Sequence, residues 1–311
     1  MQIKIGTRGS PLARVQTRMV SDALAAHTPG LHTEVIIVRT EGDRNRRDSL
    51  TDLGGRGVFV RDIEERLLTG EFDLAVHSLK DLPTSQPDGL LLAAIPARGT
   101  VHDALVSRGG ERLTDLRPGA IVGSSSQRRS AQVLALRPDL TMQSIRGNVE
   151  TRLRKLDEGQ YDAIVLAAAG LERMDWGGRI SETFSLAQML PAVGQGALAV
   201  ECRADDTGTL ALLAPLDHVR TRAAVSAERA FLRGLGGGCT LPIGAFAELD
   251  ELETGAALTL HGMIAQPDGR RIVRGLLRGS LAEAETIGAQ LAEQLMADGG
   301  RALIKALHMS A

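Results

Sequence analysis

The feature that most constrains this chain is the regular exchange of strand and helix signals over its first two hundred residues. "QIKIGTR" alternates with a period of two and predicts a strand. Ser10-Pro11 then marks a helix start, with Leu12, Val15, Met19, Ala23 and Leu24 near one helical face. "TEVIIVRT" predicts a second strand, "FVRDIEERLLTG" a helix closing at Gly70, and "DLAVHSL" and "LLLAAIP" two short buried strands. Strands separated by helices need crossover connections, so the pattern predicts βαβ units and a mostly parallel sheet.

The pattern restarts after "ARGTVHDALVS", which reads as a crossover between domains. "AIVGSS" predicts a strand, "SQRRSAQVLALRP" a helix, "MQSIRG" a strand, "NVETRLRKLDEG" a helix capped by Asn148, and "AIVLAAAGL" a strand. "GALAVECR" reads as a further strand that returns to the first sheet. From about residue 219 the character changes. A helix, "TRAAVSAERAFLRGL", runs into three glycines; strands "GAFAEL", "ALTLHGMIAQ" and "RIVRGLLRGS" follow, the last two joined by the turn "PDGR". A helix from Leu281 to about Ala297 closes the chain. The expected organisation is therefore one α/β domain from 1–97 and 197–216, a second from 102–191, and a smaller α+β domain from 219–311. Paired α/β domains imply a cleft at strand ends and helix starts. The polar, glycine-rich stretch 41–57 reads either as a loop covering such a cleft or as an ordinary surface loop.

Composition narrows the function. With 43% hydrophobic and 24% charged residues the chain is globular, and its net charge of -2 provides no field for nucleic acid or an anionic membrane. Aromatic residues, at 2%, are too few for a base-stacking platform. The N-terminus lacks the apolar core of a signal peptide and no run reaches a membrane span, so a cytoplasmic protein is expected. Two cysteines, Cys202 and Cys239, make neither a disulfide framework nor a zinc site, and no histidine spacing suggests a metal.

Chemistry concentrates where strands give way to helices. Only four of the 36 basic residues are lysines, leaving 32 arginines, a bias that a GC-rich genome also explains. Position is more telling. Arg8 and Ser10 end the first strand; Ser124, Ser125, Ser126, Arg128 and Arg129 hold the same junction in the second domain; Arg146 ends a strand and Arg152 enters the next helix. Free backbone N–H groups, hydroxyls and guanidinium forks together suit anions. In "AVHSLKDLP", Lys80 and Asp81 emerge at a strand end, either as a surface ion pair or as a carboxylate kept ionised to hold a substrate N–H and move protons. His77 reads equally as a core histidine. Cys202 reads as a small core residue. Cys239 follows a helix C-terminus, which does not favour a thiolate, so an attachment point with room made by Gly236, Gly237 and Gly238 fits better than a turnover nucleophile.

"GTRGSPLA", "AVHSLKDLPT", "VGSSSQRRSAQ", "RGNVETRLRKLD", "AIVLAAAGLERM", "VGQGALAVECR" and "GGGCTLPIGA" together resemble, in order and over nearly the whole chain, the porphobilinogen deaminase (hydroxymethylbilane synthase) family. The resemblance implies two periplasmic-binding-protein-like α/β domains around a cleft plus a smaller C-terminal α+β domain. It implies a monomeric transferase that joins four porphobilinogen molecules head to tail into hydroxymethylbilane with loss of ammonia, and passes the product to a downstream tetrapyrrole enzyme. A dipyrromethane cofactor on Cys239 through a thioether primes the chain. Asp81 is the implied catalytic residue, steadying the cationic azafulvene and holding pyrrole N–H groups. Arg8, Ser10, Gln16, Lys80, Ser125, Ser126, Arg128, Arg129, Arg146, Gly147, Arg152, Arg179 and Gln195 are the implied substrate- and cofactor-binding residues, and Phe59 closes over the ring. Arg56 and Arg61 stand where many relatives carry lysine, Gln127 where many carry an apolar residue.

Two other classes remain open on residues alone. A two-lobed small-anion-binding protein needs neither Asp81 nor Cys239. A cysteine-dependent acyl transferase is disfavoured by the helix end before Cys239.

Overall fold

The structure, a computed structural model, describes residues 1–40, 60–237, 241–252 and 255–309. It divides into two compact units, one of residues 1–99 and 196–222, the other of residues 100–195 and 223–311.

In the first unit β1 (Gln2–Arg8) runs parallel to β2 (His32–Val38) and to β3 (Leu74–Ser78). The sheet order is β2-β1-β3-β10-β4, where β4 is Leu90–Ala94 and β10, Leu198–Arg203, returns antiparallel to both neighbours. The alternating side chains of β1 fall to opposite faces. Ile3 and Ile5 meet Val20 and Leu24 of α1 (Pro11–His27), together with Leu74 and Val76. Gly6 faces the other way, where the Phe72 ring occupies the space of any Cβ, and α2 (Arg61–Leu68) adds Ile63 and Leu67 to that face. Each such aliphatic side chain contributes roughly 1.5–3 kcal/mol when fully buried.

The buried stripe of α1 is not the apolar one read from the sequence. Gln16, Thr17, Val20 and Leu24 face inward, whereas Met19 is exposed. Polar side chains fill two inward positions because each is satisfied there: Thr17 Oγ1 donates to the Ala13 carbonyl, and the Gln16 amide meets Ser78.

The second unit repeats the first sheet's plan. Its order is β7-β6-β8-β5-β9, with β5 Asp103–Ser107, β6 Ile121–Gly123, β7 Thr141–Gln143, β8 Ala163–Ala167 and β9 Glu182–Thr183. Again the first three strands are parallel, and one strand from a crossing segment runs antiparallel beside the third. Each sheet is thus mixed, not mostly parallel. The segment "DALVS", read as crossover, is the fully buried strand β5, lying between β8 and β9. The helices α3 (Gln127–Leu136), α4 (Val149–Asp157) and α5 (Ala168–Arg173) follow β6, β7 and β8 in turn. The helix α6 (Thr207–Leu213) follows β10 in the first unit.

Within α7 (Val219–Gly234) the chain passes to the second unit. There β11 (Ile243–Leu252), β12 (Gly255–Ala265) and β13 (Ile272–Ser280) form an antiparallel sheet, covered by α8 (Ala284–Leu295). Small residues let the layers meet. The Phe231 ring sits over Gly262, and Gly288 touches the α7 backbone. Beyond the expected last helix the chain turns at Gly299 (φ 113°) into a further helix, α9 (Arg301–Met309). Among the described residues the fold is mixed α/β, two five-stranded sheets plus a small three-stranded one. No described helix is long and apolar enough to cross a membrane.

Candidate active site

The C-terminal ends of β1 and β3 open side by side, because the two strands are parallel neighbours. Ser10 caps α1 there, its Oγ accepting from the Ala13 N–H at 3.2 Å. Past Ser78 a single turn of 3-10 helix, Leu79–Asp81, sinks Leu79 and leaves Lys80 and Asp81 half-buried. The result is a pocket lined by Arg8, Ser10, Gln16, His77, Ser78 and Asp81, with Val60 at the entry to α2. Its wall is braced: Gln16 Nε2 and Oε1 lie 2.9 and 3.0 Å from the Ser78 Oγ, donating and accepting. Four residues expected at the site, Arg8, Ser10, Gln16 and Asp81, are thus brought together; Lys80 precedes Asp81 on the same turn but is not part of the lining.

In the second unit the same junction carries a denser set. Ser126 caps α3, accepting from the Arg129 N–H, and Asn148 caps α4, accepting from the Thr151 N–H at 2.8 Å. Ser125 ties the two loops together, donating to the Ile145 carbonyl at 2.6 Å and meeting Ser144 Oγ at 2.9 Å. Both helix N-termini therefore lie at one end of the sheet, where their dipoles favour anions. Arg152 Nε donates to the Gly147 carbonyl and Lys155 to that of Arg146. Gly147 has φ 114°, a left-handed backbone, and a Cβ there would meet Thr151.

Beneath these loops lies a charged core that the sequence did not announce. Asp103, at the start of β5, is fully buried. Arg128 Nη1 donates to its Oδ2 at 2.7 Å, Arg129 Nε to its Oδ1 at 2.8 Å, and Gln195 Nε2 to the same oxygen at 3.0 Å. Arg128 and Arg129 also donate to the carbonyls of Leu190 and Val165. Burial alone would raise the Asp103 pKa; the two guanidiniums reverse this and hold the carboxyl well below the usual carboxylate range. Among the described residues both guanidiniums thus converge on one buried carboxylate, which fixes their place beneath the two helix starts.

Arg179 is not brought to this set. It is exposed, and its Nη2 lies 2.5 Å from Asp157 Oδ1, at the opposite end of α4 from Asn148. The half-buried Arg173, which closes α5, was passed over in the sequence, and burial lowers its guanidinium pKa. Also missed was Glu228 of α7, fully buried, which accepts from the N–H groups of Gly194 and Ala247 at 2.7 and 3.0 Å. It joins the turn carrying Gln195 to the first strand of the C-terminal sheet. After α7 the backbone of Gly236 and Gly237 takes positive φ, 86° and 69°. Cys239 and Phe59 lie outside the described residues. Cys202 is fully buried, and burial pushes its thiol up to about 11. Among the described residues no cluster of His, Cys, Asp or Glu is placed to hold a metal ion.

These features sit in a chain with clear relatives. It is 53% identical over 300 residues to the porphobilinogen deaminase of Roseiflexus sp. (strain RS-1), covering 96% of this chain and 97% of the relative. It is 50% identical to that of Brevibacillus brevis, covering 95% and 94%. Among solved structures the methionine binding protein MetQ is similar with a TM-score of 0.42 and 13% identity, over 69% of this chain and 89% of that one. The family model described as "Porphobilinogen deaminase, dipyromethane cofactor binding domain" matches residues 3–211 and so takes in Asp81 and every paired arginine above. The model described as "Porphobilinogen deaminase, C-terminal domain" matches residues 222–297, which include Cys239. With both models matched in chain order, this chain belongs to the porphobilinogen deaminase family.

Proposed function

We propose that this chain joins four porphobilinogen molecules head to tail into hydroxymethylbilane, releasing one ammonia at each addition, on a dipyrromethane primer held by a thioether to Cys239. The observation that carries the reading is the pocket of the first unit, where Asp81 faces the same space as Arg8 and Ser10. The donor set fits the cofactor. A dipyrromethane carries acetate and propionate groups and two pyrrole N–H groups, so it needs several carboxylate partners and at least one acceptor. Arg8 and Ser10 are partners of the former kind in the first unit, where Asp81 is the acceptor, and the serines and arginines at the helix starts of the second unit are of the same kind. When bound, dipyrromethane supplies the nucleophilic pyrrole carbon for the first addition.

The chain's own groups divide the work. Arg8 and Ser10 orient substrate carboxylates in the first unit. In the second, Ser125, Ser126, Arg146 and Arg152 lie at two helix starts, where hydroxyls, guanidiniums and backbone N–H groups suit further carboxylates, with Arg128 and Arg129 held behind them by Asp103. Asp81 accepts a hydrogen bond from a pyrrole N–H, stabilises positive charge as ammonia departs, and takes the proton released from the pyrrole carbon after bond formation. Substrate carboxylates bound by preorganised arginines hold the reacting carbons close, which replaces a bimolecular encounter by a local one. Transfer of the product to a later tetrapyrrole enzyme and a cytoplasmic setting belong to the same proposal.

The test is the intact mass of the purified protein with peptide mapping at Cys239, followed by assay of ammonia and hydroxymethylbilane from porphobilinogen. Two linked pyrrole units on the Cys239 peptide, with turnover, are expected. A protein that neither carries nor takes up a dipyrromethane when given porphobilinogen overturns the reading in favour of a small-anion-binding protein.

A further inference from the structure

The face of the first sheet covered by α2 carries three ionisable side chains with no task in the reaction above. Glu64 on α2, His77 on β3 and Glu201 on β10 are all buried, Glu201 completely. Their position follows from strand alternation: His77 and Glu201 are diagonal neighbours on the face opposite Val76 and Val200. His77 Nε2 lies 3.0 Å from Glu201 Oε2, an ion-pair distance without hydrogen-bond alignment. Both Glu201 oxygens and Glu64 Oε1 lack a hydrogen-bond partner among the described residues. A second carboxylate so close to the first makes the ionised form of Glu64 costly. Burial, reinforced by the Glu201 charge, pushes the Glu64 carboxyl up to about 7 against the pull of His77 and Arg61.

The other charges around this set do not relieve it. On α2 itself Arg61 is opposed by Glu65. On β10 Arg203 is engaged by Asp206 and by the carbonyls of Leu67 and Phe72. On β1 Lys4 is exposed at the far end of the strand, and Arg8 lies at the pocket. The set also touches the pocket by two routes. His77 is part of its wall, and Glu64 donates its N–H to the carbonyl of Val60, another lining residue.

We propose that Glu64, His77 and Glu201 are a positioning set for the Asp81 pocket, and that substrate binds productively only while Glu64 is protonated. Ionised Glu64 adds a buried negative charge beside that of Glu201 behind the His77 wall, where it opposes the substrate's carboxylates and loosens the first turn of α2. This rests on the porphobilinogen reading of the pocket. The effect falls on KM.

The experiment measures kcat and KM for porphobilinogen with the holoenzyme across about pH 6 to 8, for the parent, Glu64→Gln and Glu201→Gln. In the parent, kcat/KM falls roughly tenfold over that range, as one ionisation centred near neutrality requires, with KM carrying the change. Glu64→Gln, which mimics the protonated carboxyl, varies by less than about twofold, because no ionisation remains there. Glu201→Gln removes the charge that raises Glu64, so its alkaline fall moves to lower pH; this holds even should Glu64→Gln fail to fold. A Glu64→Gln profile parallel to the parent's, or a Glu201→Gln midpoint unmoved, overturns the proposal while the functional reading stands. A parent with no turnover at any pH sinks the functional reading and this proposal with it.

Discussion

Arg128 donates to Asp103 across 2.7 Å with both side chains buried, so an arginine expected to bind ligand already holds a carboxylate of its own chain. Asp103→Asn should therefore be costly. It removes the carboxylate charge that both buried guanidiniums are bonded to, and breaking such a pair costs about 3–5 kcal/mol. The pH dependence has a definite sign. The folded-state pKa of Asp103 is depressed, so its stabilisation is present above the unfolded value of about 3.9 and is lost as pH falls through the folded one. Urea unfolding of parent and variant should show the full deficit at neutral pH and a shrinking one in strong acid. A neutral-pH deficit below about 1 kcal/mol, no more than an exposed ion pair is worth, would contradict the buried pairing.

Asp81→Ala should remove turnover with little structural effect. The side chain is half-buried on a one-turn segment whose anchor is the buried Leu79, so unfolding free energy should change by less than about 1 kcal/mol. Loss of a proton acceptor that also stabilises developing charge should lower kcat by roughly 10²–10⁴. Single-turnover ammonia release separates the two consequences. A variant that still turns over near the parent rate would remove Asp81 from the chemistry.

The difference between these two residues shows what the sequence discloses. Asp81 stands out because a local pattern, an apolar strand followed by Lys-Asp-Leu-Pro, marks a strand end facing solvent. Asp103 does not, because its partners come from 25 and 26 positions along the chain and its own segment looks like a linker. Glu228 is hidden for the same reason: its partners Gly194 and Ala247 are reached only by folding. Periodicity reports which faces are apolar, so it found most strands and helices. It misled for α1, where Gln16 and Thr17 are buried because distant or helical partners satisfy them. The cap at Asn148 and the helix start at Ser10-Pro11 were visible because capping needs only a side chain and the next three N–H groups, whereas Ser126 was read as a junction residue and is a cap as well.

The two cysteines should react differently. Cys202 sits fully buried among Ile5, Leu74 and Val200, and burial raises its thiol to about 11, so almost no thiolate exists at neutral pH. Iodoacetamide on the native protein, read by peptide mapping, should leave Cys202 unmodified until denaturant is added. Cys202→Ala should keep cofactor loading and cost about 1 kcal/mol, since it removes one small buried group. Rapid native alkylation of Cys202 would mean that β10 opens far more readily than its packing implies.

Gly147→Ala tests the anion loops from the backbone side. With φ at 114° an L-residue is strained by about 1–3 kcal/mol, and the new methyl would lie 2.6 Å from Thr151 Cγ2. Turning the Thr151 side chain does not suffice, because its Cβ, which χ1 rotation leaves in place, would still lie 2.8 Å from the methyl, and the Asn148 cap on the Thr151 N–H holds that backbone in the first turn of α4. Relief must come from the loop, which also carries Arg146 and the carbonyl that holds Arg152 Nε at 2.8 Å. The expected outcome is a modest fall in melting temperature, about 2–4 °C per kcal/mol for a domain of this size. It should come with a larger functional effect: slower dipyrromethane loading of apoprotein and a raised KM at nearly unchanged kcat, because carboxylate binding is disturbed and Asp81 is not. Thr151→Ser in the same chain removes the methyl clash but not the φ strain, so it should recover only part of both losses. Full recovery would place the whole cost in the Thr151 contact, and no loss in the single variant would show that the loop tolerates another conformation without moving its arginines.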